Sequence, residues 1–262
     1  MKTFTLLTVM TLVQFVSSLA GAYILPLENI LQKNAALAGA GILSVEQDVR
    51  FTEAGKTYTV HETWLIEGDR NLRLTARGLG ELRDVVNLTY LYNNKNRTQK
   101  VGGNRQTKPA GTDFFEKFLA IKSKDSYLGY LKEYSITDQV RLSRAGGRVC
   151  FAIGDISPST SQLTPQIWFD QDSFRLAKIR FASQAEIDFT EYEERNSVHY
   201  PKRKLIAFEG QTINIVVSKF GPSASSSIRD FYPETVEAAS VLNTSSLGSV
   251  GSQIETFYTR FR

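Results

Sequence analysis

The stretch Leu43-Ser44-Val45-Glu46-Gln47-Asp48-Val49-Arg50-Phe51, continued by Glu53-Ala54-Gly55-Lys56 and then Tyr58-Thr59-Val60-His61-Glu62-Thr63-Trp64-Leu65-Ile66, decides the fold class. Leu43, Val45, Val49 and Phe51 alternate with Ser44, Glu46, Asp48 and Arg50. Tyr58, Val60, Trp64 and Ile66 share a face opposite Thr57, Thr59, His61 and Thr63. A period of two is the mark of a half-buried strand, because successive side chains point to opposite faces. The Ala54-Gly55 turn joins the two runs into a hairpin.

The same pattern extends outward. A third strand, Asn71 to Arg77, follows the Gly68-Asp69-Arg70 turn, and Val86, Leu88, Tyr90 and Tyr92 line a fourth, closed by Asn93-Asn94-Lys95-Asn96. Val140 and Leu142 lead through Ala145-Gly146-Gly147 to Val149, Phe151 and Ile153. Gln166 to Phe169 turns at Asp170 to Ser173 into Ala177, Ile179 and Phe181, and Ile187 and Phe189 continue. Leu205 to Phe208 turns at Glu209-Gly210 into Ile213, Ile215 and Val217. About eleven or twelve short strands at hairpin spacing predict a mainly β fold, one antiparallel sheet or barrel.

Three segments break the alternation. Leu25 to Ala38 carries Leu27, Ile30, Leu31 and Leu37 near one helical stripe. In residues 113–133, Phe114, Phe115, Phe118 and Leu119 sit at helical spacing, and Ser123 is placed to cap a second helix carrying Tyr127, Leu128 and Leu131. The third is the C-terminal region. Gly221 to Ser227 reads as loop, Pro233 to Val241 as a helix, residues 242–252 as a Ser/Gly-rich linker, and Ile254 to Arg262 as a short amphipathic end.

The N-terminus reads as an export signal. Lys2 is followed by a largely apolar run from Phe4 to Val16, and Ala20 and Ala22 offer small residues in A-x-A spacing. The run is shorter than a membrane span and is diluted by Thr and Gln. The expected organisation is a cleaved signal peptide over 1–22, a domain over 23–220 and an extension over 221–262. Loss of Lys2 lowers the formal net charge from +4 to +3. No Cys follows the signal to carry a lipid anchor, so a soluble periplasmic protein is expected. The single Cys150 lies in an alternating strand and forms no internal disulfide, so a packed core must stabilise the fold.

Little in the chain suggests catalysis. His61 and His199 are far apart and have no ligand-spaced partners, no G-x-S-x-G elbow is present, and Gly146-Gly147 opens no helix. Neither an enzyme nor a metal or other cofactor is expected. The densest basic cluster, Lys202-Arg203-Lys204, reads as a strand entrance, so nucleic acid is not an expected partner. Glu62 falls in phase with Val60 and Trp64 and so reads either as a carboxylate on the concave side, which needs a partner if buried, or as a group at a wet cavity rim.

The stretch Pro165-Gln166-Ile167-Trp168-Phe169-Asp170-Gln171-Asp172-Ser173-Phe174-Arg175-Leu176-Ala177-Lys178-Ile179 resembles a strand, Asp-rich turn and strand hairpin of the LolA/LolB-like superfamily, the periplasmic carriers of outer-membrane lipoproteins and their relatives. Ile187 to Tyr192 followed by Tyr200-Pro201-Lys202-Arg203, and the region from Asn29 to Arg73, are similar to other stretches of that family. The resemblance spans roughly residues 24–220. It implies an unclosed antiparallel barrel of about eleven strands whose concave face is capped by helices and holds acyl chains. The family carrier has an Arg-Pro pair after its second strand, with the Arg latching the lid. Here the turn is Glu67-Gly68-Asp69-Arg70-Asn71, without Pro, and Arg70 is the nearest candidate latch.

On that basis the expected acyl cavity is lined by Val45, Val49, Tyr58, Val60, Trp64, Leu88, Tyr90, Phe151, Ile179, Phe181, Phe189, Ile213 and Ile215, with Glu62 as a polar group within it. Phe114, Phe115, Phe118, Leu119, Leu128 and Leu131 form the expected lid. The resemblance implies a monomeric carrier of an acylated lipoprotein or lipid, handed between an inner-membrane transporter and an outer-membrane acceptor. The alternative reading is a regulatory module of the same fold that senses lipid or lipoprotein and binds a partner protein.

Overall fold

The computed structural model describes residues 24–155 and 163–262; the expected signal peptide lies outside the described residues. Among these, one antiparallel, unclosed sheet of fourteen strands is joined by three α-helices. The strands are β1 (Leu43–Glu53), β2 (Lys56–Ile66), β3 (Asn71–Gly78), β4 (Val86–Asn93), β5 (Asn96–Val101), β6 (Asn104–Pro109), β7 (Val140–Ala145), β8 (Arg148–Ile153), β9 (Gln166–Asp170), β10 (Leu176–Arg180), β11 (Glu186–Arg195), β12 (Val198–Phe208), β13 (Gln211–Pro222) and β14 (Val241–Leu242). The helices are α1 (Leu27–Ala35), α2 (Lys124–Glu133) and α3 (Gly248–Arg260).

Spatial order follows from hairpins and one long crossing. The chain lays down β1 to β6 outward, crosses as residues 110–139, and resumes at the opposite edge with β7. It then returns strand by strand until β13 pairs with β1. The crossing runs over the face that carries Val45, Val49, Val60, Trp64, Ile179 and Ile215, here called the inner face. The sheet curls around it. The ring of Phe114 lies 4.3 Å from that of Tyr92 on β4, and the ring of Phe115 lies 6.1 Å from that of Phe189 on β11. Those strands are six places apart, about 29 Å in a flat sheet. Two consecutive side chains touch both because the sheet wraps around them.

The sequence undercounts the strands because β5 and β6 carry no apolar alternation. Every residue of β6 is exposed, so neither of its faces leaves a burial pattern to detect. The 114–119 stretch is a 3₁₀ turn, Glu116–Leu119, rather than an α-helix, whereas α2 begins where Ser123 predicts. The Ser123 hydroxyl accepts the Ser126 amide at 3.1 Å.

The C-terminal region differs most from expectation. Residues 223–240 cross the outer face, where Phe231 and Val236 pack on Leu91, with Ile42 and Leu65 beside them. Arg73 donates to the Asp230 carbonyl at 3.0 Å and the Thr235 hydroxyl at 2.8 Å. β4 pairs with β5 only from Leu91 to Asn93, and Ser240 fills the split beyond. Its hydroxyl accepts the Thr89 amide on β4, and its amide donates to the Lys100 carbonyl on β5. The chain then adds β14 to β4 and lays α3 on the inner face, Phe257 against Phe51 and Phe261 against Phe208. The expected helix over Pro233 to Val241 is one 3₁₀ turn followed by β14, and the expected linker already contains the first turn of α3.

Candidate functional site

Cross-strand register places Gln47 on β1 directly opposite Glu62 on β2, a polar pair in an apolar face between Val45 with Trp64 and Val49 with Val60. Gln47 Nε2 donates to Glu62 Oε2 at 2.7 Å and Trp64 Nε1 donates to the same oxygen at 3.1 Å. The Arg262 guanidinium closes on Glu62 with two bonds, Nε to Oε1 at 3.1 Å and Nη2 to Oε2 at 3.0 Å. Its plane is surrounded by the rings of Phe257, Phe115 and Trp64 at 4.5, 4.8 and 5.3 Å.

A second carboxylate joins from the crossing segment. Glu116 accepts Lys204 Nζ at 2.8 and 3.0 Å, the Tyr200 hydroxyl at 3.1 Å and Gln47 Nε2 at 3.2 Å, with Arg262 Nη2 3.6 Å away. Lys204 also donates to Gln47 Oε1 at 2.8 Å and to the Tyr200 oxygen at 3.1 Å. Gln47, Glu62, Glu116, Lys204 and Arg262 are all fully buried. Two carboxylates face two cations, and each ammonium proton has an acceptor, so the group is neutral and its bonds are satisfied. Burial works against the Glu116 carboxylate, but Lys204 and Arg262 outweigh it and hold Glu116 below the usual carboxylate range. Burial pulls the Lys204 ammonium below its usual range, with Glu116 acting against the pull. Burial also opposes the Arg262 charge, yet Glu62 and Glu116 raise the guanidinium above its usual range.

The end of α3 is stitched to the crossing segment beside this cluster. The Gly111 amide donates to the Arg262 carbonyl at 3.1 Å and the Asp113 amide to the Arg260 carbonyl at 3.0 Å. Arg260 Nε reaches Asp113 Oδ2 at 2.5 Å. Arg97 donates to the carbonyls of Tyr258 and Arg262, each at 2.8 Å. Gly111 permits this approach, since a Cβ there would stand 2.3 Å from the Arg260 oxygen.

Helix α2 is attached differently. Tyr127 meets Phe169 edge-on at 5.7 Å, and its hydroxyl donates to Asn34 Oδ1 of α1 and to the Phe118 carbonyl. Tyr130 OH donates to Asp69 Oδ2 at 3.0 Å, Glu133 pairs with Lys117 at 3.1 Å and Lys95 at 3.2 Å, and Lys122 just before the helix donates to the carbonyls of Gly41 and Glu67. Between α2 and the β2–β3 and β4–β5 turns lies a cleft of about 360 Å³ lined by Asp69, Arg70, Asn94, Lys95, Asp125, Ser126, Gly129, Tyr130 and Glu133.

The residues expected to line an acyl cavity all join one core cluster on the inner face; Tyr58 is half-buried at its margin and the others are buried. The expected lid divides. Phe114, Phe115 and Phe118 are buried in the crossing segment, while Leu128 and Leu131 belong to α2. Arg70 lines the cleft facing α2, and the bonds from the lid segment to that turn come from Lys122 and Tyr130. The Lys202-Arg203-Lys204 cluster splits, Arg203 exposed and Lys204 in the core. Sequence phase carries the signal for Gln47 and Lys204, which align with Val45 and Val49 and with Ile206 and Phe208. Nothing local marks Arg262.

No protein-family model and no characterised protein sequence matches the chain. Solved structures do. A LolA superfamily protein from Nitrosomonas europaea superposes with a TM-score of 0.58 at 12% identity, covering 81% of this chain and 100% of that one. A putative outer membrane lipoprotein-sorting protein domain from Vibrio parahaemolyticus gives 0.57 at 10% identity over 81% and 98%. A DUF1329 family protein from Desulfovibrio piger gives 0.54 at 12% identity over 80% and 97%. With its single unclosed antiparallel sheet and its helices, the chain has the fold of the LolA-superfamily and lipoprotein-sorting domain proteins.

Proposed function

We propose that the chain is an exported, periplasmic carrier that binds an acyl chain between α2 and the inner face, in the traffic of lipoproteins or lipids to an outer membrane. The observation that carries this reading is the way α2 covers its half of the sheet. Leu131 and the rings of Tyr127 and Tyr130 meet Phe118, Phe169 and their neighbours through apolar and aromatic contacts, which carry little directional penalty for exchange, unlike the hydroxyl bonds of the two tyrosines. An acyl chain replaces such contacts like for like, at about 0.8 kcal/mol per buried CH₂. The likeness to a lipoprotein-sorting domain supports the cargo class. No helix among the described residues is long and apolar enough to cross a membrane. The test is native mass spectrometry of protein purified without detergent, with displacement of a fluorescent fatty acid. Co-eluting acylated species and displacement are expected; absence of both overturns the reading.

A second reading, a partner-binding module of the same fold, is favoured by the cluster of near-parallel rings that Phe114, Tyr92 and Trp64 form, which fills the space under the crossing segment. Capture of one protein partner by a chain that binds no acyl probe selects it.

A further inference from the structure

The cleft beside α2 has a charge pattern of its own. Its sheet side presents Arg70 and Lys95, and its helix side presents Asp125 and Glu133, with Asp69 at the turn. Two cations face three carboxylates, so the cleft as a whole does not favour a simple anion. Several of these groups are already committed: Lys95 to Glu133, and Asp69 Oδ2 to the Tyr130 hydroxyl. Arg70 and Asp125 are exposed, stand on opposite sides, and form no ion pair among the described residues. A ligand carrying both charges satisfies them together. The volume is at the lower end of the range for small-molecule sites.

The floor of the cleft connects it to the apolar interior. Tyr130 lines the cleft with its hydroxyl end, while its ring packs 5.7 Å from that of Phe118, which in turn lies 6.3 Å from the ring of Phe181 on the inner face. A polar head held in the cleft therefore sits one aromatic ring away from the surface under α2. We propose that this cleft is a headgroup site for a zwitterionic phosphate–ammonium lipid, phosphate toward Arg70 and Lys95, ammonium toward Asp125 and Asp69, with the acyl chain passing Tyr130 to the inner face. This inference rests on the acyl-carrier reading and names its cargo class.

Competition against a bound fluorescent fatty acid separates the two. The competitors are lysophosphatidylethanolamine, lysophosphatidylglycerol of the same chain length, the matching fatty acid, and free O-phosphoethanolamine. The ethanolamine lysolipid is expected to compete about fivefold better than the glycerol lysolipid, the scale of one half-exposed charge pair. Asp125→Lys is expected to erase that preference, and Arg70→Glu to weaken both lysolipids through the phosphate they share, each with an unchanged circular dichroism spectrum. Equal competition by both lysolipids overturns the headgroup site and leaves the carrier reading standing. Failure of the fatty acid itself to bind overturns the carrier reading and this inference with it. Free O-phosphoethanolamine competing as well as the lysolipid also overturns the proposal, since the ligand would then not be a lipid.

Discussion

Helix α3 meets the sheet through charge that no water reaches, whereas α2 is held by rings, by one buried tyrosine hydroxyl and by polar contacts at the rim. Around Arg262 the chain brings two carboxylates and two cations together with each charge paired, and the Gly111 to Asp113 backbone zips onto residues 260–262. Loosening α3 would strand Glu62 in an apolar face, which is far costlier than exposing apolar surface. Loosening α2 unpairs one buried cation, Lys117, from Glu133 and the buried Tyr127 hydroxyl from Asn34, but strands no network of that size, because Lys95, Asp69 and Glu133 already lie where water can replace their partners. One cover is therefore expected to behave as a fixed part of the core, and the other as the element that opens first. The lid expected from the sequence lies in the crossing segment and α2 and includes no residue of α3.

The sharpest way to break this contrast is to remove Arg262. Arg262→Leu leaves Glu62 buried beside Gln47 without its cation, and is expected to cost about 3–5 kcal/mol in chemical denaturation. The double variant Glu62→Gln with Arg262→Leu removes the stranded charge and is expected to recover much of that loss. If the single variant is as stable as the parent, α3 is not held by charge and the comparison fails.

Acid probes the same cluster. Glu116 has a folded pKa below its ordinary 4.5, so its contribution is complete above that value and is lost as pH falls through the lower folded value. Stability should be level above about pH 5.5 and decline below pH 4.5. Glu116→Gln should be less stable at neutral pH and show a shallower acid decline. A decline of unchanged slope would assign the acid sensitivity to other depressed carboxylates, such as Asp170 and Glu186.

Gly111→Ala tests the zipper without touching a charge. Its Cβ would lie 2.3 Å from the Arg260 carbonyl oxygen, so backbone must shift, at about 1–3 kcal/mol. Hydrogen exchange should accelerate at the end of α3 and leave α2 unchanged.

These positions show what a sequence can and cannot disclose. Strand phase exposes Glu62, because a lone carboxylate among Tyr58, Val60 and Trp64 breaks an otherwise clean pattern. Lys204 obeys the same phase with Ile206 and Phe208, but its neighbours Lys202 and Arg203 make it look like surface. Arg262 lies 200 residues from Glu62, and its partner is set by tertiary packing that no local pattern records. The β5–β6 hairpin escapes for the opposite reason: it buries Arg97 and Thr98 but no apolar side chain, so it has no apolar face to announce it. The start of α3 in Gly248-Ser249-Val250-Gly251-Ser252 has poor helix propensity and forms because Val250, Ile254 and Phe257 are buried against the sheet.

The mildest perturbation sharpens the contrast from the other side. Gly129 sits inside α2, exposed, with nothing within 4 Å of where a Cβ would stand and no positive φ. Replacing it by Ala lowers the entropy of the unfolded segment and raises helix propensity, worth about 0.5–1 kcal/mol. Because α3 is already locked, the gain should fall on α2: slower amide exchange there, no change in α3, and slower uptake of a fluorescent fatty acid with its equilibrium affinity reduced at most a few-fold. Uptake unaffected by a measurably stiffer α2 would mean that the acyl chain reaches the inner face by another route, and α2 would lose its standing as the part of the cover that moves.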